Sequence, residues 1–303
     1  MKKLIVVFML IASSVSAIEI TRNQMDGTDP TGWTRYYWDM GNGSFVPSDS
    51  PDSGNALQVR FPAGISDGSD PLIYQYQANS PQSDVYIQFY HRFGTSTQDY
   101  NWHPVANKIL YMYSEGLREG RLVFEEASGS VTIQVYGDDP NREAAIYQMK
   151  AGRPNSGTWY KYAFHFRMNS APGATDGILE AWIDDVRTVY ETNVMYFDST
   201  STVTGIFDYE ISPAYGGAGG ANPSVCYTYY DGFIIQTHPF GGDTSPPYTG
   251  DMDPLSNYVG WPVDSRTISL SISDPSGVLR SSVGMSINGG PTMRCGVELV
   301  CSP

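Results

Sequence analysis

"GTWYKYAFHFRMNSAPGATDGILEAWIDD", residues 157–185, decides how this chain is read. From Trp159 to Met168 two sets alternate: Trp159, Lys161, Ala163, His165 and Arg167 against Tyr160, Tyr162, Phe164, Phe166 and Met168. Successive side chains on a strand point to opposite faces, so the second set makes a core face and leaves Lys161, His165 and Arg167 outward. "SAPGATDG" supplies a turn, "ILEAWIDD" returns with Ile178, Glu180 and Trp182 on one side, and Asp184-Asp185 makes a second tight turn. The stretch predicts two paired strands of an antiparallel sheet.

The same period of two recurs on both sides of it. In "VYIQFYHRF" Val85, Ile87 and Phe89 share a buried side, with Tyr86, Gln88, Tyr90 and Arg92 opposite; in "SVTIQVYGD" Val131, Ile133 and Val135 oppose Thr132, Gln134 and Tyr136. Further short runs lie at Ala56–Phe61, Lys108–Tyr113, Arg121–Glu125 and Tyr229–Gln236, separated by Gly, Pro, Asn, Asp and Ser clusters. Many short strands at such spacing predict a β-sandwich or barrel rather than an α/β fold. One short helix is expected near Asn141 to Met149. The outward sets are rich in tyrosine, amides and hydroxyls, which suit a sugar ring with an apolar C–H face and a polar rim.

Charge narrows the partners. The chain carries 18 Lys and Arg against 32 Asp and Glu, a net charge of −14. Such a surface repels polyphosphate, which argues against nucleic acid, and disfavours a strongly anionic glycan unless a local basic patch overrides it. Lys2 and Lys3, the apolar run Leu4–Ala12 and the small residues Val15, Ser16 and Ala17 have the order of a secretory signal peptide cleaved near Ala17. No run reaches the roughly 20 apolar residues of a membrane helix. The protein is therefore expected to be secreted, or periplasmic or extracellular.

Cys226, Cys295 and Cys301 show no CxxC metal spacing, and Cys295 and Cys301 could close a small disulfide loop. The turn-rich stretch 242–262, with Pro246-Pro247, reads as a linker. Residues 263–303 hold two alternating runs joined by "PSG", fewer residues than the roughly 100 of a full immunoglobulin-type sandwich.

A Gly-x-Trp strand, an Asn-terminated run, a Gly-containing loop and Trp-Ile-Asp together resemble the concanavalin A-like lectin/glucanase jelly rolls, in the branch of polysaccharide-lyase-like and laminin-G-like secreted domains. "VYIQFYHRF" followed by "NKILYMY", and "SPAYGGAG" followed by "CYTYYDGFII", fit the same pattern, which covers about residues 18–241. The tail resembles a partial bacterial Ig-like module. The resemblance implies an all-β jelly-roll sandwich that handles polysaccharide and requires no cofactor, although laminin-G-like relatives hold a structural calcium; Asp184, Asp185 and Asp231 are the candidate ligands.

Three functions fit these observations. The leading expectation is polysaccharide binding by Tyr86, Tyr90, Arg92, Lys108, Tyr136 and Trp182. A polysaccharide lyase is the alternative; it needs a group to neutralise a uronate carboxylate, a base for the C5 proton and an acid for the leaving oxygen. His103, Lys108, Tyr111 and Tyr113 are its candidates, with Arg92 and Arg121 as carboxylate partners and His91 and His165 as further options. Jelly-roll alginate lyases carry Gln-x-His and Tyr-x-Lys-x-Gly-x-Tyr strands, whereas here Gln88 is followed by Phe89, Tyr90 and His91, and "YMYSEG" lacks the lysine. A retaining glycosidase on this fold would carry carboxylates in a Glu-x-Asp-x-x-Glu arrangement along one strand; Glu125 and Glu126 point to opposite faces, and Asp208 and Glu210 share one but lack a third member. A structural or adhesion protein is the third reading.

Overall fold

The computed structural model describes residues 19–240, apart from 37–40, 53, 67, 97–99, 115–116, 137–143, 200, 202–204 and 217–219, together with the dipeptides 284–285 and 293–294. The chain divides into two compact units, Met1–Pro239 and Phe240–Pro303. In the first, the strands are β1 (Glu19–Asn23), β2 (Trp33–Tyr36), β3 (Gly43–Pro47), β4 (Asn55–Phe61), β5 (Ile73–Gln82), β6 (Asp84–Phe93), β7 (Ala106–Ser114) and β8 (Leu117–Ala127). They continue as β9 (Ser130–Val135), β10 (Ala145–Ala151), β11 (Tyr160–Arg167), β12 (Gly177–Ile183), β13 (Val186–Val194), β14 (Ile206–Ile211) and β15 (Cys226–Gln236). No helix occurs among the described residues.

Two antiparallel sheets make a jelly-roll sandwich. Sheet A has the order β13-β12-β11-β6-β15-β4-β3, with β1 pairing the C-terminal half of β15. Sheet B has the order β10-β9-β8-β7-β14-β5-β2. The alternation read from the sequence sets the faces: Val85, Ile87, Phe89, Tyr162, Phe164 and Phe166 of sheet A join Phe124, Val131, Ile133 and Tyr209 of sheet B in one core. Phe89 is its hub, stacked on Phe233 at 5.2 Å and edge-on to Phe124 at 6.1 Å. Burying one such side chain is worth about 1.5–3 kcal/mol.

The opening hairpin shows why its turn residues are needed. Gly157 takes φ +77°, and a Cβ there would lie 2.7 Å from the Ser96 backbone, so only glycine fits the Gly-x-Trp position. Asp184 and Asp185 take φ 50° and 65° between the paired Ile183 and Val186, the left-handed pair of a two-residue hairpin loop. Asp184 Oδ1 accepts the Lys161 N–H at 2.9 Å, tying the turn to β11.

Two bulges re-aim side chains. In β7 the register shifts between Lys108 and Leu110, so Ile109 and Leu110 both enter the core and Lys108, Tyr111 and Tyr113 come to one face. In β15 it shifts between Asp231 and Ile234, around Gly232 at φ +56°.

One expectation is corrected. Residues 145–149 of the helix expected near Asn141 to Met149 belong to strand β10, whose Met149 joins the core while Ile146 is exposed; the period is two because the segment pairs with β9. In the second unit, Gly284–Met285 pairs antiparallel with Met293–Arg294. The signal peptide, the linker, the rest of the Ig-like module and the Cys295–Cys301 loop lie outside the described residues.

Candidate functional site

The candidate residues fall on two surfaces, because β6, β11 and β12 belong to sheet A while β7, β8 and β9 belong to sheet B. Tyr86, Tyr90, Arg92 and Trp182 stand on the outer face of sheet A; Lys108, Tyr111, Tyr113 and Tyr136 stand on the outer face of sheet B. With the core between the sheets, the six residues expected to bind polysaccharide cannot line a single groove. That is a correction to the grouping, and its cause is strand order, which local alternation does not carry.

On sheet A the polar groups satisfy one another. The Arg92 guanidinium lies between the rings of Trp159 and Tyr229, at 4.6 and 4.5 Å, and pairs with Asp49 at 2.7 Å. Tyr86 stacks on His165 at 4.1 Å. His165 reaches Glu180 through Nδ1 at 2.7 Å and Asp84 through Nε2 at 2.9 Å, and Arg187 joins Glu180 at 3.1 Å. Burial alone would lower the His165 pKa, but the bonds to Asp84 and Glu180 outweigh it and raise it. Trp182 is buried between Ala163 and Arg187 in the register. Tyr90 has its phenol pushed up by burial first and then by Asp52, Asp185, Asp184 and Asp231.

Those aspartates do not fit a calcium cage. Asp184 accepts the Lys161 amide, Asp185 pairs with the Lys161 ammonium, and Asp231 accepts from Ser50 Oγ and from the Gly232 N–H at 2.8 Å. Burial raises Asp231 to about 6. Among the described residues no cluster of three His, Cys, Asp or Glu side chains is arranged to hold a metal.

Neither His103 nor His91 joins Lys108 on the outer face. His103 is fully buried, its Nδ1 accepting the N–H groups of Val105 and Ala106 at 3.1 and 3.2 Å and its own N–H donating to Asn107. An Nδ1 that accepts two hydrogen bonds places the proton on Nε2, so the ring organises its own loop against Tyr215. His91 points inward, and burial drops its pKa to about 3. The side chain of Arg121 lies outside the described residues.

On sheet B the central cation, Lys108, feels the charges of Glu125 and Asp70 but makes no ion pair within 4 Å among the described residues. Lys108 pairs across the sheet with Glu125, which in turn faces Thr132. Gln134 donates to Glu125, and Tyr136 donates to Gln134. On the other side Ser212 bonds the Asp70 carboxyl, which also feels the Lys108 charge. Lys108 is half-buried with Nζ 5.5 Å from the Tyr111 ring, and it makes no ion pair with any described residue. Tyr111, which is buried, and Tyr113 stand with their ring planes within 2° and their centroids 6.0 Å apart.

The acids of this face are desolvated. Burial raises Glu125, which is 3% exposed, to about 7, with Lys108 opposing and Glu126 adding to the rise. Burial likewise raises Asp70 to about 6 and lifts Asp208, whose Oδ2 accepts from Gln75 and, at 3.5 Å, from Gln77. Glu126, the neighbour of Glu125, points inward to Arg153 and Asn107. Desolvated Glu125 and Asp70 flank Lys108 on this face, a combination that functional surfaces share with structural charge networks. The sequence put Glu125 and Glu126 on opposite faces but did not place Glu125 beside Lys108, because that contact depends on which strands pair.

No protein-family model and no curated protein matches the chain. Among solved structures, a marine PL-14 alginate lyase from Aplysia kurodai matches with TM-score 0.51 and 13% identity over 72% of this chain and 99% of its own. The alginate lyase vAL-1 from Chlorella virus matches with TM-score 0.51 and 9% identity over 68% of this chain and 93% of its own. The alginate lyase Aly36B matches with TM-score 0.49 and 19% identity over 65% of this chain and 87% of its own. At these identities the two likenesses with TM-score 0.51 show a common fold.

Proposed function

We propose that this is an exported protein that binds a polysaccharide across the outer face of sheet B. The observation that carries the reading is the polar row Asp70, Lys108, Glu125, Gln134 and Tyr136, which crosses the sheet and leaves the lysine unpaired in its middle. A half-buried ammonium without an ion pair is costly unless a ligand supplies acceptors, and sugar oxygens do so. Tyr111 and Tyr113 extend the row with hydroxyls at the spacing of alternate strand residues.

The test is retention of the full chain in native gels containing soluble polysaccharide, with Lys108→Ala and Tyr113→Phe beside it. A hydrogen bond to a charged group is worth about 1.5–3 kcal/mol, so Lys108→Ala is expected to weaken retention about tenfold or more. Arg92→Ala, on the opposite sheet, is expected to leave retention unchanged. If Arg92→Ala abolishes binding and Lys108→Ala does not, the site is on sheet A and this assignment is wrong.

One observation favours a second reading, a polysaccharide lyase. Lys108 shares its face with Tyr111 and Tyr113, so a carboxylate partner and two groups able to move protons stand together without a histidine. In a β-elimination a base removes the C5 proton, the C4–O bond breaks and an acid protonates the leaving oxygen. A rise in absorbance near 235 nm on a polyuronate, lost in Lys108→Ala, would put this reading first.

A further inference from the structure

Resting on the reading of sheet B as a glycan face, we infer that protons gate the site: Glu125 and Asp70, which flank Lys108, leave its ammonium to the glycan while neutral and capture it once ionised. Glu125 on β8 is the cross-strand partner of Lys108 on β7. Side chains so paired stand about 4.5–5.5 Å apart at Cβ, within the swing of a lysine. Asp70 lies on the other side, bonded to Ser212 and coupled to the Lys108 charge. Lys108 therefore has two acids within electrostatic reach and an ion pair with neither.

The surroundings of the two acids make them titrate above the usual carboxylate range. Glu125 is almost fully buried; from β9 it meets Thr132 and the amide of Gln134, itself bonded to Tyr136, and from β7 it meets Lys108. Glu126, on its own strand, adds to its rise from the opposite face. Asp70 meets Ser212 of β14, Lys108 and the buried phenol of Tyr230 on β15. Lys108 is the one cation among these groups, so it is the counter-charge open to either carboxylate. Burial lifts Glu125 to about 7 and Asp70 to about 6. Below those values Lys108 has neutral neighbours; above them two carboxylates compete with sugar oxygens for its hydrogens.

The experiment measures retention of the full chain on β-glucan, xylan and alginate gels at about pH 5.5, 7 and 8.5 and constant ionic strength, a range in which an ordinary carboxylate stays ionised. On the polymer that retains the protein, retention should fall about tenfold from pH 5.5 to 8.5, the worth of one hydrogen bond to a charged group. Lys108→Ala should be weak and flat across the range, so that wild type and variant converge at pH 8.5. The double variant Glu125→Gln/Asp70→Asn cannot ionise, so its retention at the two extremes should differ by a factor of about one, whatever its absolute level. Where that variant does not fold, the profiles of wild type and Lys108→Ala still decide. Retention that needs Lys108 but ignores pH overturns the inference and leaves the sheet B reading standing, as does a pH dependence that survives in the double variant. Retention on no polymer, or retention indifferent to Lys108→Ala, removes the sheet B reading and the inference with it.

Discussion

Glu125→Gln should make the protein more stable at alkaline pH and no different in acid. Glu125 is 3% exposed, and burial lifts its carboxyl from 4.5 to about 7, a figure that already includes the attraction of Lys108. A carboxyl whose folded pKa is raised contributes stability that is fully present below its unfolded value and lost as pH rises through the folded one. At about 1.36 kcal/mol per pH unit, ionising Glu125 in the native protein costs about 3 kcal/mol, a loss that builds up between about pH 4.5 and 7 and is complete above it. The substitution keeps an acceptor for Gln134 but cannot ionise, so the variant should match the wild type at pH 4.5. At pH 8.5 it should exceed it by about 2–3 kcal/mol, which for a unit of this size is about 5–10 °C in Tm. Urea unfolding at the two pH values, with equal m-values, measures this directly. Equal destabilisation at both pH values, or a pH dependence identical to the wild type, would refute the claim that Glu125 is a desolvated acid held beside an unpaired lysine.

Two further outcomes follow from other parts of the fold. His165 faces a carboxylate at each ring nitrogen, an arrangement only the imidazolium satisfies, so its contribution is full below about pH 6.5 and is lost as pH rises through its raised folded pKa. His165→Gln should therefore cost about 1–2 kcal/mol at pH 6 and less at pH 9, read by urea unfolding, and a cost independent of pH would count against the imidazolium. Gly157→Ala forces a side chain into a left-handed conformation against the Ser96 backbone, and should lower stability by about 2 kcal/mol or more in thermal unfolding; no change would show that the backbone at Ser96 yields.

The faces of single strands were legible from alternation. β6, β9, β11 and β12 bury the sets that their period of two assigns, because each packs one apolar side on the common core. Three things were not legible. Which strands share a sheet depends on long-range pairing, so Tyr86, Tyr90, Arg92 and Trp182 looked like neighbours of Lys108 and Tyr136 although the core divides them. The β7 bulge turns Lys108 onto the face of Tyr111 and Tyr113, where strict alternation from residue 108 would have put it opposite both. And His103 stood among the lyase candidates, yet its ring bonds the backbone of Val105 and Ala106, a local use of imidazole that composition cannot signal.

The central claim is that sheet B, through Lys108, carries the glycan site. Its most direct measurement is calorimetric titration of the wild type, Lys108→Ala and Arg92→Ala with the polysaccharide that best retards the protein in gels. Binding that Lys108→Ala weakens about tenfold or more and Arg92→Ala leaves intact is the predicted result. Binding that survives Lys108→Ala and disappears in Arg92→Ala would place the site on sheet A and contradict the account.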